Sequence, residues 1–308
     1  MKYLIICFLL ISTTTCNNKN NNNNTANMAE LIPTQQISKN KQYRYYISIG
    51  VYLPFELYLN DILIKHGTTG VSSAVELNPW LLNNGTYKVT IKFFPDVGGD
   101  TVVNMGKEQL PYRLDFYKVI INDNRDIEQE SEPINLPLIT TNEDLPYFKQ
   151  SWDIEVKDLP YELEGWQNGQ DLSTWDKETL QKKVIAYYEK LRTILNNGDA
   201  NSFNHLCVQR DKETNVFNYD YNSRIVLEEF ENSSRRIREY AKGNMVPIKK
   251  YTIKIYGKNN QLVSLERVDK ENMREGVLRT LEPDGAIRIY NIKLYLPKDS
   301  DEFVIIRK

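Results

Sequence analysis

The chain of 308 residues is poor in cysteine and histidine. Its thiols are those of Cys7, Cys16 and Cys207, and its imidazoles are those of His66 and His205. An ordinary zinc site takes about four such ligands from closely spaced positions. This composition therefore predicts no metal site.

Charge of one sign is not in excess either, because 39 Lys and Arg residues accompany 41 Asp and Glu residues, for a net charge of -2. No dense basic stretch is present, and we expect no nucleic-acid partner. Residues 67–70, with the sequence GTTG, lack the following lysine that a phosphate-binding P-loop requires. We therefore predict no cofactor.

The most pronounced apolar run spans residues 4–11, after Lys2 and before the small residues 12–15 and Cys16. It is shorter than the ~20 residues that cross a bilayer and has the length of the apolar part of a signal peptide. This order resembles the bacterial lipoprotein signal, although Thr13 and Thr15 stand where that signal prefers Leu and Gly or Ala. The resemblance implies that residues 1–15 are a cleaved signal peptide and that Cys16 carries lipid such as palmitate. The alternatives are an ordinary secretory signal and a buried N-terminal strand.

Asparagine fills residues 17–24 apart from Lys19. Such a tract cannot bury enough apolar surface to offset the entropy of ordering it, which predicts a disordered tether over residues 16–42. Asn17 is not the Asp that holds enterobacterial lipoproteins in the inner membrane. The resemblance therefore implies the outer membrane, with the globular part in the periplasm. If Cys7 is removed and Cys16 is acylated, no internal disulfide is expected.

Apolar residues alternate with polar ones from Tyr43 onward, in short runs that recur up to residue 156. The alternation predicts half-buried antiparallel strands, and we expect residues 43–157 to form an all-β sandwich. Asn60-Asp61 between two runs predicts a hairpin. Residues 82–87, LNNGTY, resemble the tyrosine corner of immunoglobulin-like domains, in which the Tyr87 hydroxyl would return to the backbone just upstream. The alternative is a plain turn followed by a strand.

Residues 158–175 lack periodicity and contain Pro160 and Gly165, which predicts a linker. Three tryptophans lie near it or within it, Trp152, Trp166 and Trp175. We expect them to cover the seam between two domains, and the alternative is an aromatic binding platform.

Helical periodicity replaces the alternation after residue 175. We predict a long helix that ends at Asn197-Gly198, a short helix, a third helix after Asn222, and then strands from Tyr251 onward. This order, with residues 187–203, YYEKLRTILNNGDANSF, resembles the α+β cone of the SnoaL-like and nuclear-transport-factor-like superfamily. The predicted fold is thus an all-β sandwich followed by an α+β domain over residues 176–308, with helices packed on a curved antiparallel sheet.

No catalytic residue is predicted. His205 and Cys207 are two positions apart on a predicted helix, so their side chains point in different directions and do not form a nucleophile–base pair. Tyr219, Asp220 and Tyr221 form the one candidate binding site, because a carboxylate between two phenols could line the mouth of a cone. The alternative is a polar loop before the third helix.

These features favour a non-enzymatic binding or interaction protein of the cell envelope, held to the membrane through lipid on Cys16 and recognising a protein partner. An immunity protein against an interbacterial toxin is a narrower form of this hypothesis. A second hypothesis is an enzyme or small-molecule-binding protein of SnoaL-like type, which needs an enclosed pocket with a buried acid or histidine facing a tyrosine. A third is carbohydrate or envelope-polymer binding through exposed aromatic residues of the sandwich.

Overall fold

A computed structural model describes residues 30–96, 98–102, 112–122, 126–138, 143–269 and 274–307 of the chain. Within these residues the protein combines fifteen strands, all paired in antiparallel sheets, with four α-helices. Cys16, the predicted signal peptide and the first part of the predicted tether lie outside the described residues.

The strands of the first half form two sheets. They are β1 (Tyr43–Val51), β2 (Phe55–Leu59), β3 (Ile62–Gly67), β4 (Val71–Glu76), β5 (Gly85–Phe93), β6 (Arg113–Ile121), β7 (Ile127–Glu130), β8 (Ile134–Asn135) and β9 (Phe148–Val156). The first sheet has the order β4-β1-β6-β7, with β8 also paired to β6, and the second has the order β3-β2-β5-β9.

Alternation buries one set of side chains from each of these two sheets in the same core. Ile47 and Ile49 of β1 are at most 1% exposed, as are Leu57 of β2 and Ile91 of β5. All four belong to one hydrophobic cluster. Burying an aliphatic side chain of this size contributes about 1.5–3 kcal/mol, so this shared core is the main source of stability in the first half.

Turn chemistry fixes two connections of the first half. Asn60 and Asp61 have φ values of 47° and 62°, which gives the β2–β3 turn the twist of its flanking strands. Tyr87 of β5 accepts a hydrogen bond from Leu82 N at 3.1 Å and donates one to Asn83 O at 2.8 Å. The predicted hairpin and the predicted return of the tyrosine hydroxyl to the backbone are both confirmed.

Four α-helices follow, α1 (Lys177–Asn196), α2 (Ala200–Leu206), α3 (Val208–Asn218) and α4 (Ser223–Arg236), and α4 runs on into a π-turn, Ile237–Ala241. The side chains of Asp176, Asp199 and Asn222 accept hydrogen bonds from backbone N–H groups in the first turns of α1, α2 and α4. None of the described helices has the length and the apolar character needed to cross a membrane.

Helix α3 is not predicted from the sequence. Its buried side chains are Arg210, Glu213 and Phe217, so two of its three inward positions are charged. Sequence-based helix prediction depends on an apolar stripe, and these charges interrupt it. Glu213 accepts a hydrogen bond from Gly165 N and pairs with Arg307.

Six further strands complete the second half. They are β10 (Tyr251–Tyr256), β11 (Leu262–Arg267), β12 (Leu278–Arg279), β13 (Ile289–Tyr290), β14 (Lys293–Tyr295) and β15 (Val304–Arg307). One sheet has the order β10-β11-β14-β15, and β12 pairs with β13 alone. The sequence predicts a single strand over residues 287–296 with a bulge near Tyr290. The prediction is wrong in this detail, because β13 and β14 pair with different sheets.

Helix α1 belongs to the hydrophobic core of the second half. Its buried stripe consists of Leu180, Val184, Tyr188, Leu191 and Leu195, in one cluster with side chains of β11, β14 and β15. The Tyr188 hydroxyl donates to Ile292 O at 2.6 Å and accepts from Leu265 N at 3.1 Å. Its polar atom is therefore satisfied within an otherwise apolar interface.

The stretch predicted as a linker has irregular backbone, but its apolar side chains are buried. Leu159, Tyr161, Leu163 and Trp166 join the hydrophobic cluster of the first half, to which Tyr256 of β10 also belongs. The two halves are thus continuous at this cluster. The end of the predicted tether is also packed, since Leu31 is buried and its carbonyl oxygen accepts a hydrogen bond from Asn215 Nδ2 at 2.8 Å.

A buried ion pair of the second half lies against the first half and is hydrogen-bonded to it. Arg307 Nη1 of β15 lies 2.8 Å from Glu213 Oε2 of α3, and 2% of the Arg307 side chain is exposed. Arg307 Nε donates to Pro79 O of the first half at 2.6 Å. The rings of Trp166 and Phe217 cover the guanidinium group, with centroids 5.1 Å and 5.5 Å from its carbon. We refer to Arg307, Glu213, Trp166 and Phe217 as the Arg307 cluster.

Candidate functional site

The predicted binding residues Tyr219, Asp220 and Tyr221 lie between α3 and α4, against the first half. Tyr219 ends α3 with a φ of 62°, and its hydroxyl donates to Tyr43 O at 2.6 Å. Burial, with a contribution from Glu229, raises the pKa of Asp220. The buried Tyr219 has the contacts of a packing residue, and none of the three residues lines the cleft at Glu266 and Arg274 or the cavity at Arg210 and Arg288.

The cysteine and histidine of the second half are not brought together as a reactive pair. Cys207 is fully buried, whereas His205 is exposed. Among the residues that the structure describes, no group of three or more His, Cys, Asp or Glu side chains is placed to hold a metal ion.

A cleft between the two halves gathers ionisable side chains from both. Its volume is about 390 Å³, and its lining includes His66 and Trp80 from the first half and Glu266, Arg274 and Lys293 from the second. His66 belongs to β3, Glu266 to β11 and Lys293 to β14, so sheets of both halves build this site. We call it the junction cleft.

Arg274 connects the acidic side chains of the junction cleft. Its Nε lies 3.4 Å from Glu56 Oε1 of β2 and 3.3 Å from Glu266 Oε2. Its Nη2 donates to the Tyr256 hydroxyl at 3.0 Å, and Tyr256 in turn donates to Glu266 Oε1. Arg274 also has a φ of 71°. This left-handed conformation costs about 1–2 kcal/mol for a residue other than glycine, so the ion pairs hold a strained backbone in place.

Lys293 lies beside these ion pairs, with its ammonium group 4.9 Å from the centroid of the Trp80 ring. Burial lowers the pKa of Lys293 to about 8, against an opposing contribution from Glu266. The charged form of this lysine is therefore less stable than that of an exposed lysine. An anionic group that entered the cleft would stabilise the charged form again.

His66 lies opposite Glu56 in the β2–β3 ladder. The sequence predicts an exposed turn position for His66, and this expectation is wrong, because the residue is part of β3 and partly buried. Burial lowers the pKa of His66, and Arg274 lowers it further, while Glu56 and Glu266 oppose the shift. A neutral imidazole at pH 7 can donate a hydrogen bond from one nitrogen and accept one at the other.

The junction cleft thus combines acids, bases and an aromatic face without an enclosing apolar wall. Pockets for apolar ligands are enclosed and mostly hydrophobic, with few polar groups. An open cleft with paired charges is instead suited to polar side chains that protrude from a partner, or to a small polar molecule. Perturbed ionisable groups that meet in a cleft identify a candidate functional site.

Sequence reasoning missed this site because its members are far apart in the chain, from Glu56 to Lys293. One signal was present in β11, where Leu262, Ser264 and Glu266 share one face. All three are buried, and Ser264 Oγ donates to Glu266 Oε1 at 2.7 Å. A charged residue in phase with buried positions of a strand indicates a polar contact between layers, although not its partner.

Comparisons of the chain with protein-family models, with curated proteins and with solved structures find no match.

Proposed function

We propose that this chain is a non-enzymatic, lipid-anchored binding protein of the bacterial cell envelope and that the junction cleft recognises a protein partner. The observation that carries this proposal is the convergence of His66, Glu266, Arg274 and Lys293 on one open cleft between the two halves. Complementary charges of this kind orient a partner and exclude wrong ones. An immunity protein against an interbacterial toxin is the narrower form of the proposal.

The fold proposal that accompanies this function is a β-sandwich of immunoglobulin type over residues 43–157 and a SnoaL-like cone over residues 176–308. The shared core of the first two sheets and the hydrogen bonds of Tyr87 support the first part. The packing of α1 with the four-stranded sheet supports the second. Apolar side chains fill that interface, which favours a recognition scaffold over a catalytic cone.

The lipid anchor is tested with the variant Cys16→Ser, expressed as the full chain in a bacterial host. We expect the unmodified chain to incorporate an alkyne-tagged palmitate and to sediment with membranes, and we expect Cys16→Ser to do neither. Cys7→Ser is the matched control and keeps the label, because Cys7 lies within the proposed signal peptide. Labelling of Cys16→Ser to the level of the unmodified chain would disprove the anchor.

The junction cleft is tested by placing a photo-crosslinking amino acid at Lys65, an exposed residue of its lining. The matched control is Lys182 of α1, whose side chain is 82% exposed. We expect a discrete protein adduct in envelope extracts from position 65 but not from position 182. Adding Lys293→Gln should weaken the adduct at position 65, because it removes a cationic contact from the cleft. Equal adducts at both positions, insensitive to Lys293→Gln, would rule out the cleft as the recognition site.

The immunity form of the proposal has a separate test. A strain that lacks this chain should lose protection against a toxin encoded next to it, and the full chain should restore survival. Unchanged survival of the deletion strain would exclude immunity and leave the broader binding proposal standing.

One contact favours a second candidate, an enzyme that acts on a small polar molecule in the junction cleft. The buried acid Glu266 faces the hydroxyl of Tyr256, which is one of the two features that the enzymatic hypothesis requires, and Lys293 lies nearby. A lysine with a pKa of about 8 can transfer protons or attack a carbonyl group near neutral pH. Lys293→Arg keeps the charge but not the low pKa. If Lys293→Arg still gave the adduct at position 65 but no longer restored survival of the deletion strain, the enzymatic hypothesis would be favoured.

A further inference from the structure

A second cavity lies among three helices and the β12–β13 sheet of the second half. Its volume is about 360 Å³, and it is lined by Phe203 of α2, Arg210 of α3, Arg236 of α4, and Arg288 and Tyr290 at β13. We call it the arginine pocket. It shares Ile289, Asn291 and Ile292 with the junction cleft but has its own charged side chains.

Arg210 is a buried cation in this pocket. Only 7% of its surface is exposed, and its Nε donates to Asp211 Oδ1 at 2.7 Å. Burial opposes the charge of Arg210, but Cys207 and Asp211 stabilise it and raise its pKa. Asp211 takes the N–H group at Nε, and a guanidinium group carries four further N–H donors that can bind an acceptor entering the pocket.

Arg288 and Arg236 add two further cations. Arg288 pairs through Nε with Glu282, and its guanidinium carbon lies 4.2 Å from the centroid of the Tyr240 ring. Arg236 is exposed and forms no ion pair within the described part of the chain. Burial raises the pKa of Tyr290, while Arg288 and Arg236 oppose that shift, so Tyr290 lies within the field of both cations.

Charge balance defines the kind of ligand. Three guanidinium groups line this pocket, and two carboxylates pair with them, Asp211 with Arg210 and Glu282 with Arg288. Within this group of five side chains one positive charge is left over. Planar guanidinium groups bind oxyanions through two parallel hydrogen bonds, and phosphate is a preferred ligand.

We infer that the arginine pocket binds the phosphate group of an organic phosphomonoester. Phosphate offers three terminal oxygens to the three arginines and can accept the Tyr290 hydroxyl hydrogen. The cavity of about 360 Å³ is large enough for the organic part as well, since pockets for such ligands start at about 300 Å³. The inference does not rest on the function proposed for the junction cleft.

Stabilisation of a helix C-terminus explains only part of this arrangement. Arg236 is the last residue of α4, and a cation there interacts favourably with the carbonyl groups of the last turn. That interaction does not account for the buried Arg210 of another helix, nor for Arg288 on the sheet. The convergence of Arg210, Arg236 and Arg288 on one cavity is what favours a ligand.

The test is calorimetric titration of the full chain with inorganic phosphate, with glucose 6-phosphate, and with phosphatidylcholine vesicles that do or do not contain phosphatidic acid. We expect saturable binding of glucose 6-phosphate, or of the vesicles with phosphatidic acid if a lipid headgroup is the source. Arg236→Gln and Arg288→Gln should each weaken that binding about tenfold or more, because each removes a charge-assisted hydrogen bond.

Arg224→Gln is the matched control. Arg224 lies on the same helix as Arg236, its side chain is 85% exposed, and it does not line the pocket. Thermal unfolding checks that each variant folds, and the exposed Arg236 can be replaced without opening the core. If no phosphorylated probe binds saturably, or if Arg236→Gln and Arg288→Gln bind as tightly as Arg224→Gln, the inference is overturned.

Discussion

The two halves meet at two arginine-centred clusters that share a chemistry and differ in their access to solvent. In the Arg307 cluster, the side chains of Arg307 and Glu213 are 2% and 8% exposed, and two aromatic rings cover the guanidinium group. In the junction cleft, the side chains of Arg274 and Glu56 are 13% and 15% exposed beside a cavity of about 390 Å³. The first cluster is sealed and the second is open.

This difference in exposure is the basis for proposing a structural role for the first cluster and a binding role for the second. Burial of an ion pair is weak evidence for a stabilising purpose, because desolvation offsets much of the attraction between the charges. A sealed ion pair still favours one arrangement of the elements that carry it, because loss of either charge leaves the other one buried without a partner. An open pair can exchange part of its contacts for those of a ligand. Lys293 and His66, both with lowered pKa values, lie only at the open site.

The largest effect is expected from Arg307→Met, which leaves Glu213 buried without its cation. We expect the free energy of unfolding to fall by about 3–5 kcal/mol, as measured by denaturant titration. The double variant Arg307→Met/Glu213→Gln should be less destabilised, because the introduced amide oxygen can still accept the hydrogen bond from Gly165 N without carrying a charge.

Arg238→Met is the control for this experiment. Arg238 pairs with Glu231, but their side chains are 48% and 68% exposed, so the loss should stay below about 1 kcal/mol. A loss of that small size for Arg307→Met would show that the sealed cluster does not hold the halves together.

Arg274→Met should have the next largest effect on stability. It leaves Glu56 and Glu266 without a shared cation, but water in the open cleft can solvate both carboxylates in part. We expect a loss of about 1–3 kcal/mol in the same denaturant titration. A loss equal to that of Arg307→Met would mean that the two clusters do not differ in the way their exposure indicates.

The stability of the unmodified protein relative to Lys293→Met should depend on pH, and this dependence tests the open site. The pKa of Lys293 is about 8 in the folded chain and 10.5 for the free side chain. Between these values the unfolded chain binds more protons, so the unmodified protein gains stability relative to Lys293→Met as the pH rises from about 8 to about 10.5. We expect a relative gain of about 2–3 kcal/mol, measured by denaturant titration at several pH values. A difference that stays constant over this range would refute the lowered pKa.

Much of the fold follows from local sequence signals, and the candidate site does not. Alternation and the Asn60-Asp61 turn depend on neighbouring residues and agree with the structure. Helix α3 is not predicted because the charged residues Arg210 and Glu213 occupy two of its inward positions and interrupt the apolar stripe. Glu213 pairs with Arg307, which is distant in the chain, so a charged residue at an inward position indicates a polar contact without identifying the partner.

The passage from β13 to β14, where the chain leaves one sheet and enters another, illustrates the same limit. Residues 287–296 are compatible with one continuous strand, and the change of apolar phase is visible in the sequence. Whether such a change produces a bulge or a switch between two sheets depends on which strands pair with each part. Here β12 pairs with β13, while β11 and β15 pair with β14, and Lys293 of β14 lines the junction cleft.

The smallest effect is expected from His66→Gln, measured as a change in stability with pH. Burial and Arg274 lower the pKa of His66 below its ordinary value of 6.5, while Glu56, Glu266 and Glu275 act in the opposite direction. Below pH 6.5 the unfolded chain therefore binds more protons at this residue than the folded chain. The unmodified protein should lose stability relative to His66→Gln as the pH falls from 7 through 6.5. His205→Gln is the control, because His205 is exposed and does not line the junction cleft. If His66→Gln and His205→Gln give the same slope, the pKa of His66 is not lowered and His66 does not belong to the open cluster.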